Sequence, residues 1–539
     1  MRNLFLGLAA LLSTVVSYSQ SVSRPKLVVG IVVDQMRWDF LYRYYDRYAP
    51  NGGFKRMLNQ GFSCENTFIP FAPTVTAPGH ATIYTGSVPA IHGITGNFWW
   101  ENNKGISMYC TQDDAEKNVG SGVAEEGSQS PRNLLVTTIG DELKLATNSR
   151  SKVIGVALKD RGGILPAGHM ANAAYWYDLK TGNFISSTYY MKELPAWAND
   201  FNGKKLVNKY YEQGWNTLYP INTYTQSTAD DKRYESTGIG KGFPYDLKKY
   251  IGTNYNPILT TPYGNTLTTE FAKAVLTNEK LGTGKETDIL TISYSSTDYI
   301  GHGFGPNSIE QEDDFLRLDK ELADLLDFLD NKVGKDQYTV FLSADHGVAH
   351  VPAFMAENKI PSGSINPENL KKEINTKLQE LYGKNNLVVS SFNYQYYLNL
   401  PAIDSAKLDK EKIINSIINY VSWQPGISRV FAIDDMMELP MNKKMREIFA
   451  NGFYPKRSGQ IQVVMDPQWI EGFSATGTTH GAWGPYDAHI PLLWYGWGIK
   501  QGKLNRETYM TDIAATLAAL LHIQMPSGCV GQVITEVLK

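Results

Sequence analysis

Five short, continuous apolar runs constrain the fold of this chain more than any other feature. Continuous runs, unlike alternating ones, predict strands that are buried on both faces, as in a parallel sheet. A charged side chain follows each of the first four runs within four residues. The runs and these side chains are Lys26–Val33 before Asp34, Lys152–Leu158 before Lys159, Asp288–Tyr294 before Asp298, Tyr338–Ser343 before Asp345, and the fifth run Ile490–Tyr495.

Helical patterns lie between these runs, at Thr266–Leu281, Glu310–Leu329 and Tyr509–Leu521. Strands that alternate with helices predict an α/β fold with a doubly wound, mostly parallel sheet. In such sheets ligands bind at the carboxyl ends of the strands. Because the charged residues fall at those ends, we expect the functional site there.

Two stretches, about 165–262 and 351–470, interrupt this alternation. The first is rich in Tyr, Asn, Gly and Lys and contains a hairpin pattern at Ala174–Ser186. We predict that both are cap insertions beside the active site of one catalytic domain, residues 21–539. With 539 residues, 42% of them hydrophobic, the chain can bury a large core, which excludes a disordered protein.

The N-terminus predicts a signal peptide over residues 1–20. Arg2 gives a basic start, Leu4 to Val16 is an almost unbroken apolar run, and Ser17 to Gln20 supply small residues before a cleavage site. A membrane anchor is the alternative, but 13 residues fall short of the roughly 20 that span a bilayer. We therefore expect an exported protein, periplasmic or secreted, without a transmembrane anchor.

Charge and cysteine content exclude other classes. A net charge of −3 offers no nucleic-acid-binding surface. Three cysteines allow at most one bridge within the chain, and Cys64–Cys110 is the simplest pairing that leaves Cys529 free. Their spacing does not suit a zinc cluster, so any metal is expected to be bound by histidines and carboxylates.

Six such side chains form candidate metal ligands. Zinc in catalytic sites takes about three protein ligands, so six suit two zinc ions, and a pair of ions can hold both oxygens of a phosphoryl transfer. Each motif alone is weak, since a strand-end Asp is as often a turn former and Asp-xxx-His occurs by chance. The candidates are Asp34, the pair Asp298 and His302, the adjacent pair Asp345 and His346, and His480.

Thr76 is the candidate nucleophile. Pro78 suits the first turn of a helix, which would place Thr76 at the helix N-terminus, where free N–H groups favour an anion such as phosphate. A threonine hydroxyl needs activation, which zinc can supply. Without the metal ligands, a simple helix cap would be the better interpretation.

These motifs together resemble the alkaline phosphatase superfamily, in the branch that joins nucleotide pyrophosphatase/phosphodiesterases with the PafA-type bacterial alkaline phosphatases. The similar segments are TVTAPGHATIYTGSVPAIHGITGN, TDYIGHGFGP, SADHG and THGAWGPYDAHIPLLWYG, in the family's order and over the whole mature chain. A threonine at position 76 and a histidine at position 80 exclude the related sulfatases, whose signature has Cys or Ser first and Arg fifth.

The resemblance implies a role for each ligand. One zinc ion would be bound by Asp298, His302 and His480. The second would be bound by Asp34, Asp345 and His346, with Thr76 completing it. The family mechanism forms a phosphothreonine, which zinc-activated water then hydrolyses. Asn97 matches the residue that donates a hydrogen bond to a phosphate oxygen.

Lys159 and Arg161 decide the branch within the family. If the strand end stays extended, both side chains point to the same side and can reach one phosphate. The PafA-type enzymes carry such a pair and their diesterase relatives lack it, and two cations complement the dianion of a monoester. A solvated turn is the alternative. The resemblance also implies that Lys159 replaces the magnesium site of the serine-nucleophile alkaline phosphatases.

The sequence thus predicts a two-zinc alkaline phosphatase that acts on small-molecule phosphate monoesters, as a monomer. A phosphodiesterase or nucleotide pyrophosphatase on the same metal site, or a non-catalytic phosphate- or metal-binding protein on this fold, are the alternatives. His80, His92 and His489 match no metal position and are expected to form hydrogen bonds near the site. The aromatic residues Phe98, Trp99 and Trp100 are expected either to line the leaving-group side or to pack in the core.

Overall fold

A computed structural model of the chain describes residues 22–120, 127–235, 237–472 and 476–539. The predicted signal peptide, residues 1–20, lies outside the described residues. In chain order the strands are β1 Leu27–Val33, β2 Phe62–Phe68, β3 Phe98–Glu101, β4 Ile106–Tyr109, β5 Asn118–Val119, β6 Val153–Ala157, β7 Ala173–Asp178, β8 Asn183–Ser187, β9 Asp288–Tyr294, β10 Tyr338–Ser343, β11 Gly363–Ile365, β12 Val388–Phe392, β13 Gln395–Leu398, β14 Ile427–Ala432, β15 Ile461–Met465, β16 Trp469–Glu471, β17 His489–Gly496 and β18 Gly502–Tyr509.

The α-helices connect and cover these strands. They are α1 Phe40–Arg43, α2 Gly53–Gln60, α3 Thr76–Thr85, α4 Pro89–His92, α5 Ile139–Ala146, α6 Asp160–Ala167, α7 Ala196–Gly203, α8 Leu206–Gln213, α9 Tyr263–Asn278, α10 Ser296–Phe304, α11 Ile309–Leu329, α12 Pro352–Glu357, α13 Pro367–Tyr382, α14 Leu400–Ser405, α15 Lys410–Val421, α16 Lys443–Gly452, α17 Pro485–Ala488 and α18 Asp512–Leu521.

Ten strands form the main sheet, in the order β18-β2-β17-β10-β1-β9-β6-β7-β8-β5. The five central strands from β10 to β7 run parallel to one another. Every residue of β1, β6, β9 and β10 is buried, which is why their sequences are apolar without alternation. The prediction of an α/β fold with a large, mostly parallel sheet is confirmed.

The boundaries of the predicted strands are close to the observed ones, and two are identical, Asp288–Tyr294 and Tyr338–Ser343. The fifth apolar run forms β17, which pairs antiparallel with both β10 and β2. An apolar run reports burial and carries no information about strand direction, so the sequence could not distinguish this strand from its parallel neighbours.

The two interrupting stretches differ in how they join the sheet. The hairpin predicted in the first is formed by β7 and β8, joined at Gly182, which has a φ of +73°; β7 pairs with β6, so this hairpin extends the main sheet. The second stretch builds a separate four-stranded sheet, β12-β13-β15-β14. Helices α13 and α15 pack on that sheet around a hydrophobic core of its own.

Cys64, Cys110 and Cys529 are all free, so the possible Cys64–Cys110 bridge does not form. No helix of the described residues is long and apolar enough to cross a membrane.

Candidate metal and phosphate site

The strand order brings four candidate residues to one edge of the sheet. β10, β1, β9 and β6 are neighbours and parallel, so their carboxyl ends lie side by side. Asp34 directly follows β1, Asp345 follows β10 by two residues, and Lys159 follows β6 by two residues. Asp298 lies in the first turn of α10, just after β9.

Asp298 and His302 share one face of α10 because they are four residues apart. Asp298 Oδ1 lies 3.2 Å from His302 Nε2 and 3.5 Å from His480 Nε2. His480 comes from the loop before α17, and its ring stacks on that of His346 with centroids 3.5 Å apart. Residues distant in sequence therefore converge on the same edge.

A backbone carbonyl orients each of the three histidines. The Nδ1 atoms of His302, His346 and His480 lie 2.8 to 2.9 Å from the carbonyl oxygens of Thr478, Gly347 and Thr74. A carbonyl can only accept, so Nδ1 carries the proton and Nε2 keeps its lone pair. This is the usual arrangement of a metal-binding histidine, whose other ring nitrogen is held by an outer partner.

Thr76 is the first residue of α3 and is buried. Its Oγ1 lies 3.4 Å from His346 Nε2. Val75, which caps the helix, makes no side-chain hydrogen bond to it, so the hydroxyl of Thr76 is placed at the helix terminus without acting as its N-cap. Gly79 allows this approach, because a Cβ there would lie 2.4 Å from the carbonyl oxygen of Asp345.

Asn97 is held beside the start of α3. Its Oδ1 accepts a hydrogen bond from the backbone N–H of Ala77 at 2.9 Å. This contact fixes the orientation of the amide and directs its oxygen to the helix. The NH₂ group of the amide is left to donate to another acceptor.

Lys159 lies between the carboxylates of Asp34 and Asp298. Its Nζ donates to Asp34 Oδ2 at 2.7 Å and to Asp298 Oδ2 at 2.6 Å. The strand end does not stay extended, since α6 begins at Asp160 and Arg161 is in its first turn. Arg161 Nη1 donates to the hydroxyl of Tyr109 at 3.0 Å. A strand-to-helix turn, and not an extended strand end, therefore places Lys159 and Arg161 near the site.

The charges of the site shift its pKa values in opposite directions. Burial and the repulsion of Asp345 raise the pKa of Asp34 well above its usual range. Burial acts in the same sense on Asp298, but the neighbouring His302 and Lys159 hold its pKa well below normal. Burial, together with repulsion from His346 and His302, lowers the pKa of His480 and keeps its ring neutral.

These residues fit a metal centre on two grounds. Asp34, Asp298 and Asp345 are three buried carboxylates, of which Asp34 and Asp298 contact Lys159, and Asp34 Oδ1 has no hydrogen-bond partner among the described residues. Buried charge of this kind needs compensation by cations. The donors are oxygen and imidazole nitrogen without thiolates, a set that suits zinc and other divalent ions.

Among the described residues, two groups of three side chains have ligand atoms within 4.8 Å of one another. One consists of Asp34, Asp345 and His346, the set that the resemblance implies for one ion. The other consists of Asp298, His346 and His480. His346 thus belongs to both groups. His302, the ligand that the resemblance implies for that site, is in neither group, although its Nε2 lies 3.2 Å from Asp298 Oδ1 and its ring centroid 5.1 Å from that of His480.

Gln35 is a residue of the site that the sequence analysis did not single out. Its Nε2 donates to Asp298 Oδ1 at 2.6 Å and its backbone N–H to Asp345 Oδ1 at 3.1 Å. Gln35 therefore contacts the carboxylates of both Asp298 and Asp345. Its φ is +67°, in the left-handed region where a side chain costs energy. Only its position next to Asp34 could have pointed to it.

The three remaining histidines of the motifs form hydrogen bonds, as expected. His80 Nδ1 lies 2.9 Å from the carbonyl oxygen of Thr76, on the nucleophile's own helix. His92 is fully buried and contacts Thr82. His489, at the start of β17, has its Nε2 2.9 Å from the carbonyl oxygen of Glu65 and stacks between Trp38 and Phe68.

A parallel α/β sheet with buried acid–histidine groups beside a hydroxyl at a helix N-terminus is typical of metal-dependent hydrolases. Residues 28–486 match the family described as type I phosphodiesterase / nucleotide pyrophosphatase. The chain belongs to that family.

Several relatives are similar over nearly the whole chain. Alkaline phosphatase PhoV of Synechococcus elongatus is 53% identical over 97% of this chain and 94% of its own length. A Myroides odoratus protein named calcium-transporting ATPase is 54% identical over 97% of this chain and 96% of its own. Alkaline phosphatase PafA of Elizabethkingia meningoseptica is 49% identical over 96% of both.

A crystal structure of alkaline phosphatase PafA superposes with a TM-score of 0.94, covering 96% of this chain and 100% of that one. These similarities confirm the predicted membership of the alkaline phosphatase superfamily. They also confirm the prediction of an enzyme of the alkaline phosphatase kind, a hydrolase.

Proposed function

We propose that this chain is a zinc-dependent alkaline phosphatase that hydrolyses phosphate monoesters through a phosphothreonine at Thr76. The observation that carries the proposal is the position of the Thr76 hydroxyl, 3.4 Å from His346 Nε2 at the N-terminus of a buried helix. A nucleophile there would lie beside both acid–histidine groups. The amides of the first turn of α3 would face the phosphate.

The proposed metal ligands are Asp34, Asp345 and His346 for one zinc ion and Asp298, His302 and His480 for the other, with Thr76 beside them. Two bound zinc ions would supply charge compensation for the phosphoryl group and would lower the pKa of the threonine hydroxyl. His346, which is close to both groups, is the side chain through which the two halves of the centre are joined.

The chain's own residues would then act as follows. The Thr76 hydroxyl releases its proton to solvent and its oxygen attacks phosphorus, the bond from phosphorus to the ester oxygen breaks, and the alcohol leaves with a proton from solvent. Asn97 donates its amide N–H to a non-bridging oxygen, since its carbonyl oxygen is already used by Ala77. Water then displaces Thr76 from the phosphothreonine, which releases inorganic phosphate and restores the hydroxyl.

Lys159 and Arg161 are proposed to favour monoesters over diesters. Two of the three N–H donors of Lys159 contact Asp34 and Asp298, which leaves one for substrate. Arg161 Nε is buried and has no hydrogen-bond partner among the described residues. Both cations can therefore add donors to a phosphate dianion, which a diester with its single charge would use less well.

Thr76→Ala tests the nucleophile. We expect turnover of an aryl phosphate monoester and formation of acid-stable phosphothreonine both to fall to background, because alanine has no oxygen with which to attack phosphorus. Thr76→Ser is the matched control, because it keeps the hydroxyl and should keep measurable turnover with a phosphoserine. An alanine variant with an unchanged rate would refute the assignment.

A phosphodiesterase on the same site is the main rival. The ratio of kcat/KM for an aryl monoester to that for the matching diester should strongly favour the monoester, and Lys159→Ala with Arg161→Ala should lower that ratio. A wild-type preference for the diester would remove the proposed role of this pair. A non-catalytic binding protein would bind phosphate without turning over either ester.

We also propose that the signal peptide directs export, to the periplasm or the medium, and that residues of about 165–262 and 351–470 act as caps on a catalytic domain. We further propose that the protein is a monomer and that its substrates are small-molecule phosphate monoesters. The separate core of the second stretch supports the proposal of a cap, and so do the hydrogen bonds of its β12–β13 hairpin, from Asn393 to Phe98 and from Tyr394 to His480.

A further inference from the structure

Phe98 is an exposed aromatic side chain next to the proposed phosphate site. It directly follows Asn97 and begins β3. Its neighbour Trp99 is fully buried, whereas 46% of the surface of Phe98 is exposed. Successive side chains of a strand point to opposite faces, so the core receives Trp99 and the opposite face presents Phe98.

The ring of Phe98 is connected to the phosphate-binding groups by contacts. Phe98 pairs with Tyr109 across the β3–β4 hairpin, and their ring centroids are 4.8 Å apart. The hydroxyl of Tyr109 accepts a hydrogen bond from Arg161 Nη1 at 3.0 Å. An aromatic surface therefore begins where the proposed phosphate contacts end.

The separate four-stranded sheet, β12-β13-β15-β14, supplies the other side of this surface. Phe392, the last residue of β12, stacks near Phe98 with centroids 6.2 Å apart and an interplanar angle of 21°. The next residue, Asn393, donates its side-chain N–H to the carbonyl oxygen of Phe98 at 2.8 Å. This hydrogen bond joins the β12–β13 hairpin to strand β3 and keeps the two rings close together.

The turn that follows β12 also contacts the proposed metal ligand His480. Asn393 and Tyr394 have φ values of +61° and +60°, as in the tight two-residue turns of hairpins. The hydroxyl of Tyr394 donates to the carbonyl oxygen of His480 at 3.3 Å. One turn therefore contacts both the Phe98 strand and a proposed metal ligand, so the aromatic surface has a defined position relative to the site.

We propose that Phe98 and Phe392 form a leaving-group subsite that prefers aromatic esters. This inference rests on the proposed function, because it places the ester's organic group beside the site where phosphate would bind. Ligand sites combine apolar walls with a few polar groups that fix orientation. Two rings at this spacing can pack against the aromatic ring of a substrate in stacked or edge-on geometry.

The test is a comparison of phenyl and methyl ligands in wild type and Phe98→Ala. The wild type should bind phenylphosphonate more tightly than methylphosphonate. In Phe98→Ala we expect the phenyl-to-methyl binding ratio to fall about tenfold, while affinity for inorganic phosphate stays as in the wild type. Phe98→Leu, which keeps apolar area without a ring, should lie between the two.

Ile106→Ala is the matched control, because Ile106 is similarly exposed, at 45%, and begins the paired strand β4. It should leave all ratios unchanged. An unchanged phenyl-to-methyl binding ratio in Phe98→Ala would overturn the inference, and so would an equal loss for all ligands including phosphate. Phosphonate binding does not need turnover, so a wild type that hydrolyses no monoester would refute the proposed function and leave this test decisive.

Discussion

Gln35 connects the carboxylates of Asp298 and Asp345. It donates its side-chain amide to Asp298 and its backbone N–H to Asp345. It does so with a left-handed backbone, a conformation that costs about 1–3 kcal/mol for a residue with a side chain. The neighbouring helix is shaped to it, because a Cβ at Gly301 would lie 1.9 Å from Gln35 Oε1.

Gln35→Ala should therefore weaken the metal centre without touching a proposed ligand. Loss of an outer hydrogen bond to a metal-binding carboxylate typically costs about 10–100-fold in metal affinity or activity. The measurement is zinc affinity by competition with a chelator, together with kcat.

Gln35→Gly is the control for the backbone. It loses the same amide, so its zinc affinity should equal that of the alanine variant, while its thermal stability should be higher because glycine tolerates a positive φ. Zinc affinity at the wild-type level in both variants would show that the amide does not position Asp298.

At the scale of elements, the site depends on how closely α3 approaches the end of β10. The candidate nucleophile is on one of these elements and two proposed ligands follow the other. Gly79 lies at their contact, where an added Cβ would meet the carbonyl oxygen of Asp345 at 2.4 Å and its Cβ at 2.7 Å. Backbone cannot move aside as a flexible side chain can, so the helix would have to shift.

Gly79→Ala should accordingly reduce kcat strongly. A displacement of about 1 Å between reacting groups can cost about a hundredfold in rate. Gly203→Ala is the control, since Gly203 is also helical and a Cβ there meets nothing within 4 Å; this variant should keep full activity. Steady-state rates and melting temperatures of both variants decide, and wild-type kcat in Gly79→Ala would contradict the argument.

The sequence predicted those parts of the site that follow from local pattern. Asp34 and Asp345 could be placed because a continuous apolar run ends just before each, and Asp298 and His302 because their spacing suits one helix face. The turn at Asn393 and Tyr394 could not, since its contacts join residues that are distant in the chain. The helix start at Asp160 was also missed, because an extended strand end was assumed for Lys159 and Arg161.

At the scale of the whole molecule, metal binding and folding are expected to be coupled. Three carboxylates buried in one site repel one another, and a cation that binds only the folded chain stabilises it by mass action. Chelation should therefore abolish phosphatase activity and lower the Tm, and added zinc should restore both.

Thr76→Ala is the control for the chelation experiment, because it keeps all six carboxylate and histidine ligands. It should be inactive but should show a zinc-dependent rise in Tm of similar size. A melting temperature that does not respond to chelator in either protein would argue against the metal centre.

The free cysteines give a second expectation for the whole chain. Cys64 and Cys110 are buried and unpaired, and burial raises the pKa of each thiol to about 12, so both stay protonated and unreactive. We expect a thiol reductant to change neither Tm nor activity. A drop in Tm on reduction would reveal a bridge.

The lysine between Asp34 and Asp298 has a consequence for where such an enzyme can work. A positive charge that belongs to the polypeptide cannot be washed away by dilution or captured by a competing chelator. If Lys159 stands where other phosphatases use a magnesium ion, catalysis needs one fewer solute from its surroundings. We would expect activity to be indifferent to the magnesium content of the medium, which outside the cell varies with its source.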